Sequence, residues 1–313
     1  MILATEILFM LSVMLQGCNG RSNASIGQEA YPLLSPRIFV EHPNDILINF
    51  NDLRRQIREY VARIPERTGV YFEYLPSGAG IGVNDREEFV AASLIKVPLV
   101  FGAYLLIEEK KIDERQAVRI EERHLDKSYG TLWKRGAGYS LTVEELVEQI
   151  LEHSDNTAAN ALYETLLQSD GQIIERVFEN LDIPFELSTT HTAVVSPKNY
   201  SSILRSLYLS SMLQKEHTAR ILQFMMQADA REQIVAGVPE GVPVAHKNGV
   251  YESGDRIVHS DCGIVYIPRR PYVLCMMSDA LEVRAKAQMR EISKMAYDFV
   301  SNAVLPPQGS PGQ

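Results

Sequence analysis

The sequence predicts an α+β fold, an antiparallel sheet flanked by helices with an all-helical lobe inserted into it. Three observations lead there. Two short β-type runs follow an amphipathic helix early in the chain, three more such runs precede a closing helix, and residues 91–212 between them are mainly helical in periodicity. Strand runs placed on both sides of an insert are expected to share one sheet.

Taken in order, the chain opens with an apolar run, Ile7 to Leu15, that is too short to span a bilayer and has the form of a secretory signal over residues 1–18. Leu15-Gln16-Gly17-Cys18 resembles a bacterial lipobox. That resemblance implies export to the periplasm or cell envelope, with Cys18 lipidated and the membrane contacted through lipid rather than through a helix. Residues 19–43, rich in Asn, Ser, Gly and Pro, read as a linker, and the folded domain is expected over 44–304. Within it, Ile48, Leu53, Ile57 and Val61 recur at helical spacing. Gly69 to Tyr74 and Gly80 to Val83, joined by Leu75-Pro76-Ser77-Gly78-Ala79, form a hairpin pattern. Gly78, Gly80 and Gly82 join two extended segments and open no helix, so they do not make a nucleotide loop.

A helix begins near Ala92, with Pro98 placed to bend it. Val143, Leu146, Val147 and Ile150 share one helical face, and the periodicity resumes from Thr157 to Leu167 after Ser154-Asp155-Asn156. Val244 to Val250, Arg256 to Tyr266 and Tyr272 to Met277 return to β-type runs, and Arg284 to Val300 closes with a helix. The tail 305–313 is rich in Pro and Gly and is expected to lack structure. Cys262 and Cys275 fall on the two arms of a hairpin around Ile267-Pro268-Arg269-Arg270-Pro271. Because register is not fixed by sequence, the expectation is two buried free thiols rather than a disulfide.

With 313 residues, 45% hydrophobic and 23% charged, the composition is that of an ordinary globular protein able to bury a sizeable core. A formal net charge of -9 without a basic run argues against nucleic acid as a partner. There is no G-x-S-x-G elbow, and none of the seven histidines forms an H-E-x-x-H pair, so neither a Ser-His-Asp hydrolase nor a zinc enzyme is favoured. No metal and no cofactor is implied.

The chemistry is expected around Ser93 and Lys96, three residues apart and hence on one helical face inside the otherwise apolar run Phe89 to Leu106. Burial disfavours the lysine's charge, so its amine can take the serine's proton and leave a nucleophile. Ser93 at a helix start also brings a backbone N–H suited to a developing oxyanion. Ser154-Asp155-Asn156, taken alone, is capping chemistry, and the lysine of Lys247-Asn248-Gly249 is by itself a strand residue. The three segments together are more specific. S-x-x-K at Ser93, S-D-N 61 positions later and K-N-G 93 positions after that resemble the signature of the class A β-lactamases and penicillin-binding enzymes. The likeness extends through Glu88 to Leu99, Gly138 to Asn160 and Gly237 to Gly249, and covers about Ile46 to Val300.

That resemblance implies a β-lactamase/transpeptidase-like fold and a serine hydrolase that opens β-lactam amides through an acyl-serine. Ser93 is then the nucleophile, Lys96 its base or relay, and Ser154 the donor to the leaving nitrogen, helped by Lys247. Asn156 holds the acyl-side amide, Asp155 binds backbone N–H groups, and Val250 supplies the second oxyanion N–H. Gly249 and Asn248 line the substrate, and Arg256, nine residues after Lys247, takes the place of a carboxylate-binding arginine. The implied partner is a small-molecule β-lactam or a peptidoglycan stem peptide, bound by a monomer. Two departures matter. Asn248 stands where the family has Thr or Ser, and Asn180 to Val195 is short and lacks the Glu-x-x-Leu-Asn segment whose glutamate activates the deacylating water, with Glu186 the nearest substitute. The alternatives are therefore a DD-carboxypeptidase or transpeptidase, or a penicillin-binding module with little turnover.

Overall fold

A hairpin supplies the first two strands of the sheet and the C-terminal part of the chain supplies the other three, as the computed structural model shows over residues 49–184, 193–254 and 256–303, all within the compact unit Ile48–Pro306. The signal and lipobox with Cys18, the linker, Glu186 and the tail lie outside the described residues.

Helix α1 (Asn51–Val61) carries Leu53, Ile57 and Val61 on one stripe, all buried. Fully burying such a side chain contributes roughly 1.5–3 kcal/mol, which is what holds the helix to the sheet. Strands β1 (Thr68–Tyr74) and β2 (Ala79–Val83) form the expected hairpin. Short strands β3 (Phe89–Val90) and β6 (Val194–Val195) pair with each other, as do β4 (Ala117–Arg119) and β5 (Ser140–Thr142). Strands β7 (Val244–Ser253), β8 (Arg256–Val265) and β9 (Tyr272–Ser278) complete a five-stranded antiparallel sheet in the order β2-β1-β9-β8-β7. The two ends of the chain do share one sheet, and β7 is its outer strand.

One sheet face carries Val70, Phe72 and Leu274 against α1 and the closing helix α8 (Glu282–Asn302). The other face, with Ala245, Cys262 and Val273, packs against the helical part of the chain. That part comprises α2 (Lys96–Glu108), α3 (Val143–Glu152), α4 (Asn156–Ser169), α5 (Ile173–Asn180), α6 (Pro197–Leu209) and α7 (Lys215–Met226). Pro98 falls in the first turn of α2, where a proline is tolerated, because the turn Ala92–Ile95 is a 3₁₀ helix and α2 proper begins at Lys96.

Cys262 and Cys275 are joined in a disulfide, which corrects the expectation of two free thiols. The physical reason is register: β8 and β9 pair Cys262 directly with Cys275, 4.0 Å apart at Cα, with both side chains pointing to the same face.

Candidate active site

Ser93 sits in the 3₁₀ turn between β3 and α2, directly after Ala92, whose φ of +48° is left-handed. An alanine is seldom held there, so the surrounding packing fixes the turn that aims Ser93. Outer strand β7 runs against this turn. A Cβ on Gly249 would stand 2.7 Å from Ser260 Oγ and 3.2 Å from both the Ala91 carbonyl and the Ser93 nitrogen, so glycine is what allows the approach. The next residue, Val250, lines the same cavity of about 600 Å³ as Ser93, Lys96 and Asn156. An outer strand has one edge without a ladder partner, which suits its backbone to a substrate.

Lys96 opens α2 and is only 4% exposed. Its ammonium donates to Ser93 Oγ at 3.3 Å, to Ser154 Oγ at 3.1 Å, to Asn156 Oδ1 at 2.5 Å and to the Ser154 carbonyl. Burial lowers its pKa from 10.5 to about 8, against the opposing charges of Asp155 and Asp126. A substantial share of neutral amine is therefore present near neutral pH, within reach of two hydroxyl groups.

Ser154 lies in the turn between α3 and α4 with φ +53°, and the following Asp155 is the N-cap of α4. The fully buried Asp155 carboxylate accepts from the backbone of Thr131 at 2.6 Å, Leu132 at 2.9 Å and Ala158 at 3.0 Å. It thus ties the loop before Leu132 to the start of α4 and holds Ser154 and Asn156 on either side of itself. Gly130, at φ +92°, makes room: a Cβ there would fall 2.1 Å from that carboxylate. Asn156 donates from Nδ2 to Ser128 Oγ at 2.7 Å, and the Ser128 backbone and hydroxyl donate to Asp126. Burial raises the Asp126 pKa, but the hydrogen bonds from Ser128 and Asn156 and the charge of Lys96 outweigh it and hold the carboxyl below its usual range.

Lys247 is 1% exposed on β7. Burial first, and then the charge of Lys96, push its pKa down to about 7, with Asp261 opposing. Its ammonium donates to the Asn248 carbonyl at 2.9 Å and to Asn248 Oδ1 at 3.3 Å. With Oδ1 so engaged, the Asn248 NH₂ is the group left to donate to a substrate.

Ser93, Lys96, Ser154 and Asn156 are thus brought together by hydrogen bonds, and Lys247 is coupled to them by charge. Arg256 is not brought there. It opens β8 opposite Ser253, six rungs beyond the Lys247–Cys262 pair, about 20 Å along the strand. The nine-residue spacing is used up by the hairpin itself, and the residue of β8 beneath Gly249 is Ser260. Asp126 and Ser128 had no signal in the sequence, because only the fold of the loop before Leu132 turns them toward Asn156 and Lys96.

Residues 52–300 match the β-lactamase enzyme family. A β-lactamase of Bacillus amyloliquefaciens is 27% identical over 252 residues, covering 74% of this chain and 79% of the relative. The extended-spectrum β-lactamase PER-1 of Pseudomonas aeruginosa is 24% identical over 237 residues, covering 69% and 77%. Among solved structures, a mutant of PBP-A in its acyl-enzyme complex with penicillin G superposes with a TM-score of 0.72 at 25% identity, over 79% of this chain and 95% of that one.

Proposed function

Because the chain belongs to the β-lactamase enzyme family, as a serine hydrolase acting on β-lactam amides, we propose that it is of the class A type and opens the ring through an acyl-Ser93 intermediate. In the first step Ser93 Oγ bonds to the carbonyl carbon while its proton passes to neutral Lys96. The N–H groups of Ser93 and Val250 receive the oxyanion. As the C–N bond breaks, Ser154 protonates the leaving nitrogen and is reprotonated from Lys96. Lys247 attracts the substrate carboxylate, the Asn248 amide supplements it, and Asn156 holds the acyl-side amide. The observation that supports this reading most is the placement of one buried amine 3.3 Å from Ser93 Oγ and 3.1 Å from Ser154 Oγ. It is the arrangement a proton relay between the attacked and departing atoms requires.

A second reading rests on the absence of a Glu-x-x-Leu-Asn segment between Asn180 and Val195. Without that carboxylate the acyl-enzyme forms faster than water removes it, and the protein acts as a penicillin-binding enzyme or a DD-peptidase on peptidoglycan stem peptides. Intact-mass spectrometry after mixing with benzylpenicillin separates the two. A transient adduct with released penicilloate supports the hydrolase, and a persistent adduct supports the second reading. Absence of both adduct and released penicilloate, or an adduct that survives in Ser93→Ala, overturns both. The proposal extends to an exported monomer with lipid attachment at Cys18, acting in antibiotic response; radiolabelled fatty acid incorporation lost in Cys18→Ser tests the anchor.

A further inference from the structure

His259 is buried in β8 at 1% exposure, and among the described residues neither of its ring nitrogens has a hydrogen-bond partner. A buried polar group left in that state costs about 1–3 kcal/mol, so its position calls for a reason. β8 pairs it with Val250 on the outer strand and β9 pairs it with Ser278. Gly249 faces Ser93, so the next residue, Val250, and its partner His259 face the other way, toward the side of the sheet that α8 covers. To receive an oxyanion the Val250 N–H has to point outward from β7. That makes Val250–His259 the non-hydrogen-bonded kind of antiparallel pair, about 4.5 Å apart at Cα, in which side chains lie closest. The charged groups on this face are engaged elsewhere or stand at the surface. Lys286 of α8 is paired with Glu282 and with Glu232, and Glu252, two residues beyond Val250 on β7, is exposed. Asp261, on β8 itself, is bonded to His246 and accepts from the Ile234 N–H, while the Ser278 hydroxyl is shared with Thr68 and Gln288. Burial holds the His259 pKa below its ordinary 6.5, against the charges of Glu282 and Glu252 and with the help of Lys286.

We propose that His259 is a positioning residue for acylation: as a neutral ring it seats Val250 so that its N–H meets the oxyanion, and as a cation it withdraws that support. The inference rests on acylation of Ser93 with Val250 as the second oxyanion donor, as proposed above. A neutral imidazole can lie in a packed layer much as an apolar ring does. An imidazolium in the same place carries a charge and two N–H donors, with no acceptor in reach among the described residues. The acids its charge acts on are Glu282, at the start of α8, and Glu252, on the same strand as Val250. A proton on the ring therefore draws the part of β7 beyond Val250 toward itself and moves the Val250 N–H from its place beside Ser93. Losing one oxyanion donor costs about 10²–10³-fold in rate.

The test uses the full chain and single-turnover acylation at saturating chromogenic cephalosporin, followed from neutral pH down to about pH 4.5. Proton NMR of the imidazole, assigned as the signal missing from His259→Leu and His259→Gln, gives the ring's own midpoint. Above that midpoint the wild-type rate should fall about tenfold per pH unit, from Lys96 alone. Below it the rate should fall about a hundredfold per unit, for the roughly two units that the loss of an oxyanion donor spans. Neither variant has this proton to gain, so in both the tenfold slope should continue without a break. A wild-type slope that never steepens, a ring that stays neutral until the chain unfolds, or a break that persists in either variant overturns the inference while the acylation chemistry stands. The slope is read on the wild-type chain and does not depend on a variant folding. Absence of both adduct and released penicilloate with benzylpenicillin overturns the acylation reading and the inference with it.

Discussion

The pH dependence of acylation tests the assignment of Lys96 most directly. A lysine at its ordinary pKa of 10.5 is neutral about 0.03% of the time at pH 7, whereas at a pKa of about 8 it is neutral roughly a tenth of the time. Burial therefore multiplies the population of neutral amine by about 300, and the rate of a step that uses it by less, because a weaker base takes the proton less readily. Single-turnover acylation by a chromogenic cephalosporin, measured from pH 6 to 10, is expected to rise about tenfold per pH unit below 8 and to level off above it. The measurement belongs at saturating substrate. In the free enzyme Lys247 loses its proton near pH 7 and with it the attraction for a carboxylate, which adds a falling limb to the second-order rate constant. A bound carboxylate holds that proton in place, so the saturated rate isolates Lys96. Lys96→Ala should lower the plateau by about 10²–10⁴-fold and flatten the profile. A midpoint near 10 in the wild-type chain, or an unchanged plateau in the variant, refutes the reasoning.

Other consequences follow from single contacts. Asp155→Ala leaves three backbone donors without their carboxylate in a dry site and is expected to cost about 3–5 kcal/mol, read by urea unfolding. Gly249→Ala places a Cβ against Ser260 Oγ and the Ser93 nitrogen, so β7 must retreat from the nucleophile; acylation should fall by about 10²–10³-fold, while the unfolding midpoint moves far less. Lys247→Met should stabilise the free protein by a few kcal/mol at pH 6. The folded pKa of about 7 lies below the unfolded 10.5, so the lysine's penalty is full below 7 and is gone above 10.5, and the gain should vanish by pH 10.5.

How much of this could be read from the residues alone depended on whether a feature is local. The helix carrying Leu53, Ile57 and Val61 and the hairpin around Pro76-Ser77-Gly78 declare themselves by period and turn chemistry within a dozen residues, and both are present. The three motifs are equally local, and their spacing gave the site its parts. Register is not local. Whether Cys262 meets Cys275 depends on how β9 slots between β1 and β8, and a shift of one position would turn the thiols to opposite faces. Arg256 is a matter of register too: the resemblance put it with the substrate-binding residues, whereas the long β7–β8 hairpin carries its backbone six rungs from Lys247. The Asp126–Ser128–Asn156 chain depends on a loop folding back on Asp155, and no periodicity marks such a return.

The two lysines also explain why so much of the molecule converges on so few atoms. Each is almost wholly buried, and among the described residues the hydrogen bonds of both ammonium groups go to hydroxyl, carbonyl and amide oxygens, with no carboxylate accepting from either. Asp155, the acid whose charge bears most on Lys96, turns its oxygens to three backbone N–H groups. A salt bridge at Lys96 would hold its proton and remove the base, and one at Lys247 would occupy the place of a substrate carboxylate. The free protein therefore carries a charge deficit that an anionic substrate relieves on binding. Affinity for such substrates should accordingly weaken as pH rises through 7, while the intrinsic acylation rate strengthens toward 8. The two limbs cross near neutrality, so an optimum of the second-order rate constant displaced to pH 9 or above would mean that one of the two amines is not performing the task its position suggests.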